Sequence, residues 1–305
     1  MKKLIKVLLL LQLPACVFGQ LTPVTDHYIL NPISLNPACA GASGSLNIAA
    51  FYRHQWIGIE GAPVTMTLTA DAPLKDNRIG LGVLLLNDRI GVTKETQLMT
   101  NYSYKISLGK GSLALGLGAG IISTNTAWSD LTTTDEGDEY YLINSKPFYV
   151  PHASFGTYFL YENYFAGLSI PKIFSYKYNF DKGKYQLAND MSLFNYMFIT
   201  GYTFTLTRDI KLLPSTLLSF RQNEPLLFDL SIQGIYADKF WLGFTYRSSK
   251  TFNALFQFRV SSQIKLAYAY DYDTSEIGNY SNGSHEIMIR YEFGHKFNAV
   301  SPLSF

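Results

Sequence analysis

Charge is scarce in this chain: Asp, Glu, Lys and Arg make up 16% of its 305 residues, against about 25% in an average globular protein. A chain this apolar is not a disordered one. The formal net charge of +2 supplies no basic field for nucleic acid. Long hydrophobic runs are also missing, with no stretch of about 20 apolar residues that could cross a bilayer as a helix. Cysteine is limited to Cys16 and Cys39. Removal of an N-terminal signal would leave Cys39 alone and exclude an intrachain disulfide. A lone cysteine in an Ala/Gly-rich stretch reads as a small packed residue. Aromatic residues, at 15%, are what the chain has in abundance.

The first residues read as an export signal. Lys2, Lys3 and Lys6 precede the apolar residues 7–13, and Val17-Phe18-Gly19 lead to a cut before Gln20. Leu13-Pro14-Ala15-Cys16 is an alternative lipoprotein box, with an atypical proline; both readings carry the chain across the inner membrane.

From residue 45 onward, segments of about ten residues alternate apolar and polar with period two, as membrane strands do. In the last one Ile287, Ile289, Tyr291 and Phe293 share a face, with Glu286, Met288, Arg290 and Glu292 on the other. Charges would be costly in a sandwich core, whereas a barrel lumen accepts them. We count about fourteen such segments, an even number as expected for this class, starting near 45, 62, 78, 92, 112, 149, 163, 192, 210, 225, 239, 252, 263 and 284. Tight turns at 75–77, 109–111, 161–163, 208–209 and 237–239 interleave with long stretches at 126–148, 171–191 and 274–283. This predicts an all-β, transmembrane antiparallel β-barrel in the outer membrane, with the N-terminus periplasmic and the long loops at the cell surface. The expected organisation is a signal peptide at 1–19, a non-barrel segment at 20–44, the barrel at 45–297 and a tail at 298–305.

Gly80, Gly82, Gly116, Gly118 and Gly120 fall on the predicted lumen face. We read them first as relief for strand curvature and second as room for a plug. Residues 21–44 lack strand alternation, and Asn31-Pro32 and Asn36-Pro37 are extended or turn dipeptides. This short segment is expected to cap or plug the periplasmic end of the barrel.

The string Asn31-Pro32-Ile33-Ser34-Leu35-Asn36-Pro37-Ala38-Cys39-Ala40-Gly41 resembles the NPxxxNPAYAG opening of the PorP/SprF family, outer-membrane components of the Bacteroidetes type IX secretion system. Arg53-His54-Gln55-Trp56 followed by Gly61-Ala62-Pro63-Val64-Thr65 is similar to its RxQW and GAPxT sequences. Asn87-Asp88-Arg89-Ile90-Gly91, Gly283-Ser284-His285-Glu286-Ile287 and the terminal Ser301-Pro302 with Phe305 extend the likeness along the mature chain. Cys39 departs from the aromatic residue usual there. The resemblance implies an accessory barrel needed to export particular secreted proteins and hold them on the cell surface through their C-terminal domain, gliding adhesins among them. It also implies partners among periplasmic or lipoprotein components of the machine, besides outer-membrane lipid.

Chemistry-bearing clusters are few. His27, His54, His152, His285 and His295 lack metal-ligand spacing, so no metal or cofactor is expected. No nucleophile-base motif suggests an enzyme. The acidic run Asp135-Glu136-Gly137-Asp138-Glu139 lacks calcium-loop spacing and reads as a solvated loop. Trp56 reads as an interface anchor, as do Trp128 and Trp241 as girdle or loop residues. Arg53 shares parity with Gln55 and is expected to point inward toward an acid. Asn31, Pro32, Asn36, Pro37, Arg53, Gln55 and Trp56 are the candidate partner-binding residues. The competing expectation is a passive channel or small-hydrophobe transporter.

Overall fold

The computed structural model describes residues 28–74, 77–130, 144–179, 184–188 and 191–293. The signal sequence, Cys16, the acidic run, His27, His295 and the tail therefore lie outside the described residues. Seventeen strands follow in chain order: β1 Asn47–His54, β2 Val64–Leu74, β3 Ile79–Ile90, β4 Thr93–Leu108, β5 Gly111–Thr126, β6 Phe148–Tyr161, β7 Tyr164–Ile170, β8 Ser175–Asn179, β9 Lys184–Ala188, β10 Tyr196–Tyr202, β11 Phe204–Thr205, β12 Ile210–Phe220, β13 Leu227–Tyr236, β14 Phe240–Arg247, β15 Thr251–Arg259, β16 Ile264–Asp273 and β17 Ser284–Glu292.

Apart from the separate pair β8 and β9, the strands form one antiparallel ring in chain order, with β7 pairing β10, β10 pairing β12 and β1 meeting β17 at the closing seam. The ring closes with fourteen strands, the two-residue β11 being an added pairing on β12. Closure removes the unpaired edges that an open sheet would present to lipid. The fourteen observed starts fall within four residues of the expected ones, the largest difference being β10. The long stretch expected at 171–191 differs: it carries the hairpin β8–β9, which pairs only with itself.

The period-two pattern decides which face is which. Ile287 and Ile289 are 55% and 52% exposed, whereas Glu286 and Met288 are 0% exposed. Leu68, Leu85, Leu117, Leu230 and Phe244 continue the outward apolar band, which is where a barrel meets hydrocarbon. Connections at one end are uniformly short, at 75–78, 109–110, 162–163, 203–209, 237–239 and 260–263. The opposite end carries 55–63, 127–147, 171–195 and 274–283, but also the six-residue connection 221–226 and the tight turns 91–92 and 248–250. The alternation in length is thus real at one end and partial at the other.

The inner wall is not uniformly polar. Ile29, Ile33, Leu35, Ala38 and Cys39 share one buried cluster with inward residues of β5 to β14, including Tyr158, Phe165, Leu213 and Trp241. Leu30 packs on a second cluster of Ala49, Phe51, Ala267 and Met288. Residues 28–40 therefore lie against the inner wall, where their apolar side chains leave water together with those of the barrel.

Candidate functional site

Two groups of residues, both singled out by the sequence, organise the interior. The first is residues 28–44. Pro32 and Pro37 each open a short 3-10 turn, Pro32–Ser34 and Pro37–Cys39. Proline suits that position because its missing N–H has no partner to lose there. The Asn36 side chain accepts from Ala38 N at 3.0 Å and donates to the Thr157 carbonyl at 2.9 Å. Thr69 Oγ1 donates to Asn31 Oδ1 at 3.2 Å. Ser103 Oγ donates to the Ala40 carbonyl at 2.7 Å, Gly41 N to Asp71 Oδ2 at 2.9 Å, and Arg290 to the Leu30 carbonyl at 2.8 Å. Backbone groups that these short turns leave unpaired find partners in β2, β4 and β17, and the Asn36 side chain finds one in β6.

The inward glycines belong to this arrangement. A methyl group at Gly80 would collide with the Ala40 carbonyl, at Gly82 with Ile33, at Gly116 with Ala38 and at Gly156 with Asn36. Gly118 and Gly120 would collide instead with barrel atoms, Ser154 Oγ and the Leu98 carbonyl, as would Gly201 with the Phe165 ring. The atoms met at Gly80, Gly82 and Gly116 belong to Ala40, Ile33, Pro37 and Ala38, so close approach by residues 33–40 accounts for these three glycines better than curvature does. Asn36→Ala deletes both the cap and the donor to Thr157. We expect it to lower unfolding stability by about 1–3 kcal/mol, read as a shift in the urea midpoint of the detergent-solubilised protein.

The second group sits at the opposite end from the short turns. Arg53 on β1 faces Glu286 on β17 in direct register. Its guanidinium holds Glu286 at 3.0 Å and Asp271 at 2.6 Å. Asn253 donates to the other Asp271 oxygen at 2.8 Å. The expected inward pairing of Arg53 is met by two acids. Gln55 is buried and its N–H donates to the Pro63 carbonyl at 2.9 Å. Trp56 takes a left-handed φ of 46°, unusual for so bulky a residue, and its N–H donates to Ser284 Oγ at 3.1 Å. Ile57 exchanges backbone bonds with Gly283 and Asn282 at 2.9 and 2.7 Å. Alongside, Thr65 donates to Asp88 at 2.6 Å and Gly91 N to the Gly61 carbonyl at 2.8 Å. Segments 53–57, 61–65, 87–91 and 282–286, separate in the sequence, thus lock together across the β1–β17 seam.

Other expectations fare differently. Trp241 is not a girdle residue: it is 2% exposed and faces inward, with Arg259 and Lys265 each 5.6 Å from its ring. Trp128 lies in the loop turn Trp128–Asp130. His152 is buried and bonds the Pro171 carbonyl at 2.8 Å, and His285 bonds the Tyr268 hydroxyl at 2.6 Å. Among the described residues no group of three His, Cys, Asp or Glu is placed to hold a metal. Cys39 is buried, and burial beside Asp71 pushes its thiol well above the usual range, which makes it a packed residue rather than a nucleophile.

The barrel is similar to solved outer-membrane structures at low identity. The Acinetobacter baumannii outer membrane protein Omp33 aligns over 83% of this chain and 100% of its own, at 6% identity and TM-score 0.51. The CymD monoaromatic hydrocarbon channel aligns over 91% and 95%, at 11% identity and TM-score 0.50. A TodX monoaromatic hydrocarbon channel mutant aligns over 88% and 94%, at 8% identity and TM-score 0.50. These likenesses establish the fold of an outer-membrane barrel and nothing finer. No curated protein matches the chain. The family described as type IX secretion system membrane protein PorP/SprF matches residues 17–291, which contain both groups of interior residues. The chain belongs to the PorP/SprF family of type IX secretion system outer-membrane proteins.

Proposed function

We propose that this barrel is a non-enzymatic adaptor, closed by residues 28–44, that receives specific secreted proteins through their C-terminal domain and holds them at the cell surface. Family membership supports a place in the secretion machine. The observation that carries the adaptor reading is the lumen itself: residues 28–41 bond to the inner wall on several strands and fit glycines that no larger residue could replace. A bore so occupied does not suit passage of a folded cargo. Recognition is then the work of the end bearing the long connections, where Arg53, Gln55 and Trp56 brace loops 55–63 and 274–283. In this reading that end faces outward, and the short turns face the periplasmic and lipoprotein components.

The second reading, a passive channel or small-hydrophobe transporter, draws on the fold shared with CymD and TodX, both monoaromatic hydrocarbon channels. Planar-bilayer conductance and gentle detergent extraction separate the two. The adaptor predicts no steady conductance and co-purification of a secreted protein bearing a type IX C-terminal domain. Large steady conductance with no such partner would sink it.

A further inference from the structure

Three cations stand side by side on the inner wall near the short-turn end. Arg259 on β15 is the direct partner of Lys265 on β16, which is the direct partner of Arg290 on β17. Direct partners hold their Cβ atoms about 4.5–5.5 Å apart, and like charges so placed repel. The row turns away from lipid: Lys265 is 5% exposed, and its outward neighbour Leu266 belongs to the apolar band. Two carboxylates lie one row nearer the mouth, Glu292 and Asp71, which flank Asn47 in the same register. Glu292 is shared by Lys265 at 2.8 Å and Arg290 at 3.1 Å. Asp71 also accepts the Gly41 N–H. Among the described residues three cations thus meet two acids, and Arg259 is farthest along the row from both.

Trp241 sits over the Arg259 end of the row. Arg259 and Lys265 each lie 5.6 Å from its ring, an attraction that offsets part of the repulsion. The buried Arg259 Nε has no hydrogen-bond partner. A planar guanidinium next to an ammonium, inside a partly dehydrated wall, is the arrangement that binds an oxyanion by charge-assisted hydrogen bonds.

We propose that Arg259, Lys265 and Arg290, floored by Trp241, form an oxyanion-binding site on the inner wall near the short-turn end of the barrel. Its ligand is a carboxylate or phosphate oxyanion, carried by a flexible chain end or free in solution. A lipid headgroup does not qualify, because the row faces the lumen. The assignment is independent of whether the lumen conducts.

The test uses the purified full-length protein in detergent micelles. Two probes are titrated by calorimetry: inorganic phosphate, and a short Gly/Ser peptide with a free C-terminal carboxylate against the same peptide amidated. Saturable binding is expected, weakening with salt and accompanied by a rise in melting temperature. Arg259→Gln and Lys265→Gln should each weaken it by at least about tenfold, while Lys110→Gln, in the exposed turn pair with Glu162, leaves it unchanged. Arg259→Lys keeps the charge and the fold and should weaken binding by less than Arg259→Gln. Binding of phosphate alone identifies a free oxyanion, and binding of the carboxylate peptide but not its amide identifies a chain end. Either result, or both, supports the site. Absence of saturable binding for both probes overturns it, as does equal affinity in wild type, Arg259→Gln and Lys265→Gln.

Discussion

Arg53→Met is expected to destabilise the barrel by about 3–5 kcal/mol, the cost of leaving buried carboxylates without their cation. Arg53 and Asp271 are each 3% exposed and Glu286 is 0% exposed. Both acids would then lose the cation they share across β16 and β17, leaving Asp271 with Asn253 and the longer-range pull of Arg247. Methionine keeps much of the stem volume, so most of the loss reports charge rather than packing. The measurement is the urea midpoint of intrinsic fluorescence in detergent, with the slope checked to be unchanged. The triple variant Arg53→Met, Asp271→Asn, Glu286→Gln should recover most of the loss, because neutral amides tolerate the site. A triple variant as unstable as the single one would mean that Arg53 acts through contacts other than these two acids. The same removal at the exposed Lys110–Glu162 pair should be hard to measure.

This contrast shows what a single sequence carries. Strand positions were legible because a barrel imposes period two on every strand, and lipid rewards the apolar half of the period. Parity was enough to send Arg53 inward and Glu286 inward. It could not join them to Asp271, because that needs the register of β16 against β17, set by hydrogen bonds between distant segments. Parity could also have placed Trp241 correctly. Leu242 and Phe244 are outward, so Trp241, Gly243 and Thr245 share the inner face; the general preference of tryptophan for membrane interfaces overrode that local signal.

The β8–β9 hairpin was hidden for a different reason. Its strands pair only with each other and are five residues long, so the alternation of Tyr176 with Tyr178 and of Tyr185 with Leu187 is too short to stand out beside the ten-residue segments of the barrel. Asp181-Lys182-Gly183 between them was the usable turn signal. The glycines were ambiguous at the sequence level because curvature and close approach both demand a missing side chain. Their collisions with Ile33, Asn36, Ala38 and Ala40 favour close approach.

Those collisions make Gly116→Val the variant with the largest expected functional effect. The new side chain would occupy the space of the Pro37–Ala38 backbone, and a closely packed interior has no slack to absorb it. Overpacking costs about 1–3 kcal/mol where neighbours can shift. Here the barrel wall is held on both sides by β4 and β6, so residues 28–44 are the part that must give way. Cys39 supplies the readout. It is 3% exposed in the native protein and should resist a maleimide, whereas in Gly116→Val it should label to near completion under the same conditions, a signal abolished by adding Cys39→Ser. If residues 28–44 close the lumen, the variant should also gain steady conductance in planar bilayers. Ala119→Val, on the outward face of the same strand, adds bulk toward lipid and should change neither reading. Loss of stability with Cys39 still protected and conductance still absent would mean that this segment is a fixed part of the wall and not a closure that can be displaced.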